Sequence, residues 1–88
     1  MYTNNPLKTW RETHGLSVAQ LALLADVGGQ IIYGIESGER YRLHPRVLGA
    51  ITVVDGPEVA DRIVAEYGTW RSARSAEVLR SLTTAAEG

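Results

Sequence analysis

Arg40, Arg42 and Arg46 lie within seven positions of one another, a local basic cluster of the kind that neutralises phosphate. Other chemistry is poorly provided for. There is no cysteine, which removes disulfide scaffolds, thiolate zinc sites and thiol nucleophiles. His14 and His44 are too far apart in sequence to form a helical His-x-x-x-His pair and read as surface or capping residues, so no metal site is expected. Gly28, Gly29, Gly34 and Gly38 are not followed by the Gly-Lys-Ser/Thr of a nucleotide-binding loop. The carboxylate pairs Glu36 with Glu39 and Glu58 with Asp61 stand at helical spacing without a nucleophile, and read as solvated faces or ion pairs. An enzyme is not expected, and no cofactor is implied.

Composition sets the frame for that cluster. A chain of 88 residues suits one core, because two would each bury too little apolar surface to offset chain entropy. Hydrophobic residues make up 44%, drawn from Leu, Val, Ile and Ala with Tyr and Trp and no Phe, so the core is expected to be aliphatic. The net charge of −1 is unusual for a phosphate binder, but it is unevenly spread. Residues 1–46 carry one net positive charge and residues 47–88 two net negative charges. No basic stretch followed by an apolar one occurs in Met1 to Pro6, so a signal peptide is not expected and a cytoplasmic location is. The most apolar stretch, Leu16 to Ile35, is interrupted by Ser17, Gln20, Asp26, Gly28, Gly29 and Gln30 and is too polar for a membrane span.

The elements that must position the basic cluster are helices. Asn5 as N-cap with Pro6 at the first helical position opens a helix that stops at Gly15, with Leu7, Trp10 and His14 on one face. Ser17 and Gln20 form a capping box, and Leu16 with Leu21 a hydrophobic staple, for a second helix whose inward stripe is Leu21, Leu24 and Ala25. A sharp turn through Asp26 and Val27 leads to a third helix from about Gly28 to Gly38, stapled by Val27 against Ile32. So short a turn forces the two helices to cross steeply, as in a helix-turn-helix. After a polar, basic loop, Pro45 opens a fourth helix to about Val54, with Val47, Leu48 and Ile51 inward. Pro57 opens a fifth to about Tyr67, with Val59, Ile63, Val64 and Tyr67 at helical spacing, which Gly68 is expected to stop. Thr69 to Leu82 reads as a sixth, carrying Ala76, Leu79 and Leu82, and Thr83 to Gly88 are expected to fray.

From Leu7 to Ile51 the sequence resembles, without a gap, the phage-repressor/Cro family of helix-turn-helix proteins, also called XRE-like. The residues that carry the likeness are Leu7-Lys8 and Arg11, Gly15-Leu16-Ser17, Leu21-Ala22, Val27, and Ile32 with Ile35-Glu36-Ser37-Gly38. Physical reasons exist for several of them. Ala22 is small where a second helix crosses closely, and Val27, Ile32 and Ile35 form the apolar underside of the third helix.

The resemblance implies an all-α, lambda-repressor-like domain of five to six helices, with residues 1–54 as the helix-turn-helix core and 55–88 as a C-terminal helical extension that dimerises. It implies an ion pair between Arg11 and Glu36, and a third helix whose outward face enters the major groove of double-stranded DNA. The base-reading positions are then Gly29, Gln30, Tyr33 and Gly34. Gln30 is the best reader, since its amide matches N6 and N7 of adenine. Phosphate contacts fall to Ser37, Arg40, Tyr41, Arg42 and Arg46. Independently of the resemblance, Tyr67, Trp70 and Leu79 read either as the last layer of the monomer core or as a dimer interface, the latter preferred because large aromatics favour such sites.

Three features depart from the family pattern. The third helix has no Lys or Arg, Val18 stands where relatives often place a phosphate-binding Gln, and Gly29 and Gly34 replace polar readers. A helix-interior glycine costs about 1 kcal/mol relative to alanine, so Gly34 requires a reason. Close approach to DNA or to another chain is one, and drift in a helix that reads nothing is the other. The leading expectation is therefore a homodimeric transcriptional regulator on an inverted repeat, of the small repressor or controller type. The alternative is a helix-turn-helix scaffold that binds another protein, with Ile31, Tyr33 and the glycines as its contact surface.

Overall fold

Asn5 and Pro6 begin the first helix: the Asn5 side chain accepts a hydrogen bond from the Lys8 amide at 3.0 Å, and α1 runs Pro6–Thr13. In the computed structural model, which describes residues 4–87 and side chains as far as Thr83, four more helices follow. These are α2 (Val18–Ala25), α3 (Gly29–Glu36), α4 (Pro45–Asp55) and α5 (Pro57–Glu87). The protein is all-helical, and no strand occurs among the described residues.

The capping box closes reciprocally at the start of α2: the Gln20 amide donates to Ser17 Oγ at 3.1 Å and the Ser17 amide to Gln20 Oε1 at 2.8 Å. The buried face of α2 is Leu21, Ala22 and Ala25, whereas Leu24 is 47% exposed. The inward stripe is thus rotated from the one expected. Steep crossing by a neighbouring helix favours the small Ala22 and Ala25 at the contact, and Leu24 lies on the far side of Leu21. Asp26 caps α2 in the left-handed conformation (φ 56°), the Val27 amide returns to the Ala22 carbonyl at 3.0 Å, and after the three-residue turn α3 sets off at 115° to α2. That angle falls in the helix-turn-helix range.

Core residues come from every helix. Leu7 and Trp10 of α1, Leu21 of α2, Ile32 and Ile35 of α3, Val47 and Ile51 of α4, and Ile63 of α5 are all buried in one cluster. The loop between α3 and α4 also contributes, because Leu43 is buried within its otherwise polar stretch. His44 caps α4, its Nδ1 accepting from the Arg46 amide at 3.1 Å. Leu48, expected inward, is only partly buried, and Ala50 takes the neighbouring core position.

The expected fifth and sixth helices are one. Gly68 does not stop α5, which continues 31 residues to Glu87, and Thr83 onward stays helical rather than fraying, with Gly88 outside the described residues. The glycine costs about 1 kcal/mol in a helix interior. No proline or capping residue accompanies it, and burial of Ile63 and Tyr67 before it and Trp70 after it, all on one face, outweighs that cost. Val64, on a different face, is exposed. Beyond Trp70 α5 leaves the core, and every described residue from Ser72 to Thr83 is exposed. Among the described residues no single helix is long and apolar enough to cross a membrane.

Candidate nucleic-acid interface

The outward face of α3 is open. Gln30, Tyr33 and Ser37 are exposed, Tyr33 to 63%, and none is covered by the long α5. Behind this face the helix is fastened at its C-terminal end. Asn5, itself buried, donates from Nδ2 to the carbonyls of Ile35 at 3.0 Å and Glu36 at 3.2 Å, so the cap of α1 also satisfies two carbonyls at the end of α3. Arg11 and Glu36 are paired through two parallel bonds, Nε to Oε2 at 2.7 Å and an amino group to Oε1 at 3.0 Å, with about a tenth of each side chain exposed. A third donor of Arg11 reaches the Leu16 carbonyl at 2.8 Å. The hydrogen bond to Glu36 raises the pKa of the guanidinium against the opposing effect of burial.

Gly34 has a reason within the chain. The Arg40 amide donates to the Gly34 carbonyl at 3.0 Å, and a Cβ at position 34 would stand 3.1 Å from Arg40 Cγ. The arginine stem therefore occupies the surface that a residue-34 side chain would fill. Neither an approaching DNA backbone nor drift is needed to explain this glycine. Gly29 is different, since a Cβ there would meet nothing within 4 Å. Gln30 folds its amide back over Gly28, where a Cβ would collide with it.

The loop after α3 is held from below by α5. Gly38 (φ +84°) lies against the Trp70 ring, which a Cβ would approach to 3.1 Å. Tyr67 donates its hydroxyl to the Arg40 carbonyl at 2.6 Å, and Arg71 Nε donates to the Gly38 carbonyl at 3.0 Å. Burial pushes the Tyr67 phenol up, with Arg71 acting in the opposite direction. The Tyr41 ring is flanked by the guanidiniums of Arg42 at 5.7 Å and Arg71 at 5.1 Å, and Arg74 lies over Trp70 at 5.5 Å.

The candidate phosphate residues thus separate into two groups. Ser37, Arg40, Tyr41 and Arg42 gather at the C-terminal end of α3, where Ser37 Oγ also bonds the Gly34 carbonyl at 3.2 Å and receives the Glu39 amide at 3.4 Å. Arg46 stands at the other end, bonded to the Asp26 carbonyl at 2.9 Å and its carboxylate at 3.0 Å in the turn before α3. Arg71 and Arg74 join the first group, and sequence reasoning passed over them. The signal was their spacing: Arg71 is four residues beyond the core aromatic Tyr67 and Arg74 four beyond Trp70, so each shares its aromatic's side of the helix.

The expected dimer interface needs correction. Tyr67 and Trp70 are 2% and 5% exposed within the single chain, their rings 5.7 Å apart, and they form the last layer of its own core. Because α5 does not break at Gly68, the face that buries Ile63 runs straight on into both rings. Leu79 is exposed, as are Val78 and Leu82 beside it.

His14 packs against α1 and the end of α4, its Nε2 3.4 Å from Asp55 Oδ2. Its ring lies 4.4 Å from that of Trp10, its Nδ1 is 2.8 Å from the Trp10 carbonyl, and Asp55 receives the Trp10 indole N–H at 3.0 Å. No group of three metal-ligating side chains occurs among the described residues. Comparison with protein-family models, with curated proteins and with solved structures finds no match to this chain.

Proposed function

We propose that the chain is a DNA-binding transcriptional regulator of the phage-repressor/Cro helix-turn-helix type, acting as a dimer on an inverted repeat. The observation that carries the reading is the α2–α3 pair: two eight-residue helices at 115° with the outer face of the second open and an arginine laid along it. A third helix without cations was the main difficulty. Arg40 answers it, because the space left by Gly34 brings a guanidinium stem onto α3 itself.

In this reading α3 lies in the major groove with Gln30 and Tyr33 toward base edges, and Gly29 allows close approach of its backbone. Arg40 and Arg42 at one end and Arg46 at the other take phosphates on either side. The exposed Val78, Leu79 and Leu82 on the outer part of α5 supply the apolar contact for a second copy.

The test is binding to a short palindrome from the region upstream of the chain's own coding sequence, followed by fluorescence anisotropy as salt is raised. Three arginines per protomer give about six phosphate contacts in a dimer, so affinity should fall about 10³-fold between roughly 50 and 200 mM salt. Gln30→Ala should relax preference at one or two base pairs, and Arg42→Ala should weaken all sequences alike. No binding at low salt with an intact dimer would favour a second reading, a protein-interaction scaffold. That reading draws on the exposed Leu23, Leu24 and Tyr33 flanking the helix pair.

A further inference from the structure

A groove of about 420 Å³ lies between the loop after α3, Leu48 of α4 and the middle of α5. Its walls are Leu43, Leu48, Val64 and Tyr67, and its rim carries Arg42, Arg71 and Ser72 beside Tyr41. No carboxylate lines it. The volume falls within the range of small-ligand sites, and an apolar interior with a few convergent polar groups is their usual make-up.

Two features mark this space as more than a packing gap. Gly68 stands in the wall of the groove, in the interior of a helix where glycine is the least favourable residue after proline, and a Cβ there would meet nothing within 4 Å. Neither a turn nor a neighbour within the chain requires it. Arg71 is the second. Its Nε donates to the Gly38 carbonyl at 3.0 Å and its guanidinium lies over the Tyr41 ring at 5.1 Å, contacts that orient the group and leave its terminal amino groups for an anion.

We infer that the groove binds a small amphipathic carboxylate. The carboxyl group pairs with Arg71 and Arg42 at the rim, and an aliphatic or aryl body lies along Gly68 against Leu43, Leu48 and Val64. Charge complementarity selects an anion over a neutral or cationic amphiphile. The occupant also acts on the loop, because Arg71 holds the Gly38 carbonyl and Tyr67 the Arg40 carbonyl, and Arg42 has to serve both carboxylate and phosphate. Occupancy therefore lowers DNA affinity, and DNA lowers affinity for the carboxylate by the same factor. This last step rests on the DNA-binding reading, whereas ligand binding itself does not.

The experiment uses the full chain without DNA and decanoate as probe, below its micellar concentration, followed by amide chemical shifts. Saturable shifts at Tyr41 to Leu43 and Val64 to Ser72 are expected, with at least tenfold weaker binding of decanol and of decyltrimethylammonium. Gly68→Leu fills the groove from an open position, and a variant that melts no lower than the parent should lose decanoate binding. The inference is overturned if decanol or the cation binds as tightly, if the shifts do not saturate, or if folded Gly68→Leu retains the affinity. A negative result leaves the DNA-binding proposal standing, since DNA binding is measured separately.

Discussion

Replacing Gly34 by alanine separates stability from the proposed DNA binding at a single atom. In a helix interior the change lowers the unfolded chain's entropy and is worth up to about 1 kcal/mol. Against this, the new Cβ stands 3.1 Å from Arg40 Cγ and 3.3 Å from its Nε, tighter than ordinary contact. The neighbour is an exposed, flexible side chain, so it gives way at small cost. A net gain of about 0.5 kcal/mol is expected, which for a domain of this size raises Tm by roughly 2–4 °C. Binding should move the other way. In the proposed dimer on DNA, Arg40→Ala removes two phosphate contacts, and counterion release sets that loss at about 10–100-fold at ~0.1 M salt with a salt slope shallower by about 1.8. Gly34→Ala should fall between the parent and that limit. In the double variant the stability gain should persist while binding falls no further than in Arg40→Ala alone. Melting by circular dichroism and anisotropy over a salt series give both readouts. A Tm several degrees lower, or a higher Tm with affinity and salt slope unchanged, would refute the link between Gly34 and Arg40.

Breaking the Arg11–Glu36 pair strands the remaining charge in a site about nine-tenths buried, so Arg11→Ala should cost about 3–5 kcal/mol in urea unfolding, and Arg11→Met with Glu36→Leu should recover much of it. Asn5→Asp keeps the cap oxygen but loses the donor to the Ile35 and Glu36 carbonyls, and should destabilise by about 1–3 kcal/mol, with Asn5→Ala losing the cap as well. The Tyr67 phenol has a folded-state pKa raised by burial, so its contribution is intact below the unfolded value of about 10 and is lost as pH climbs through the folded value. Tyr67→Phe should flatten that alkaline loss in pH-dependent unfolding while costing about 1 kcal/mol at neutral pH from the bond to the Arg40 carbonyl. Leu79→Glu with Leu82→Glu should leave the monomer's Tm within about 2 °C, because neither side chain packs in the core, and should abolish the proposed dimer in sedimentation.

What could be read in the sequence was local. Asn5, Ser17 and Gln20 act within three residues of themselves, and a cap needs nothing from the rest of the chain to be recognised. The steep helix pair follows from a three-residue turn for the same reason. Features set by distant partners were not legible. Asn5 reaches thirty residues along the chain to the carbonyl of Ile35, and its helix-capping role, visible in sequence, hides that second one. Gly34 looked unexplained because its occupant, Arg40, belongs to the next loop and returns to it only after Gly38 turns the chain. Gly68 reads as a stop when its cost is weighed alone, and the burial of Tyr67 and Trp70 that overrides it depends on where Gly38 and Arg40 lie. The same oversight placed both aromatics in a dimer interface.

These long-range contacts fall unevenly on α3. Its C-terminal end is fixed by Asn5, by the Arg11–Glu36 pair and, just beyond it, by Trp70 against Gly38 and Tyr67 on Arg40. Its N-terminal end has no side-chain cap, a single exposed bridge from Arg46 to Asp26, and a Gln30 side chain folded over Gly28. An exposed bridge of that kind is worth at most about 1 kcal/mol and yields readily to a competing anion. If the helix reads DNA, the arrangement divides the work along its length. At the fixed end the backbone that carries Arg40 is already held, which limits the chain entropy lost on binding, although the side chain itself stays free to move. Gln30, at the lightly held end, must swing away from Gly28 to reach a base, and Arg46 must release Asp26 to reach a phosphate. The charge on Asp26 that holds Arg46 in the free protein would then lie beside the DNA backbone, where it opposes binding. Part of the affinity from the arginines is therefore spent on opening this end, and a sequence that fails to engage Gln30 recovers none of it.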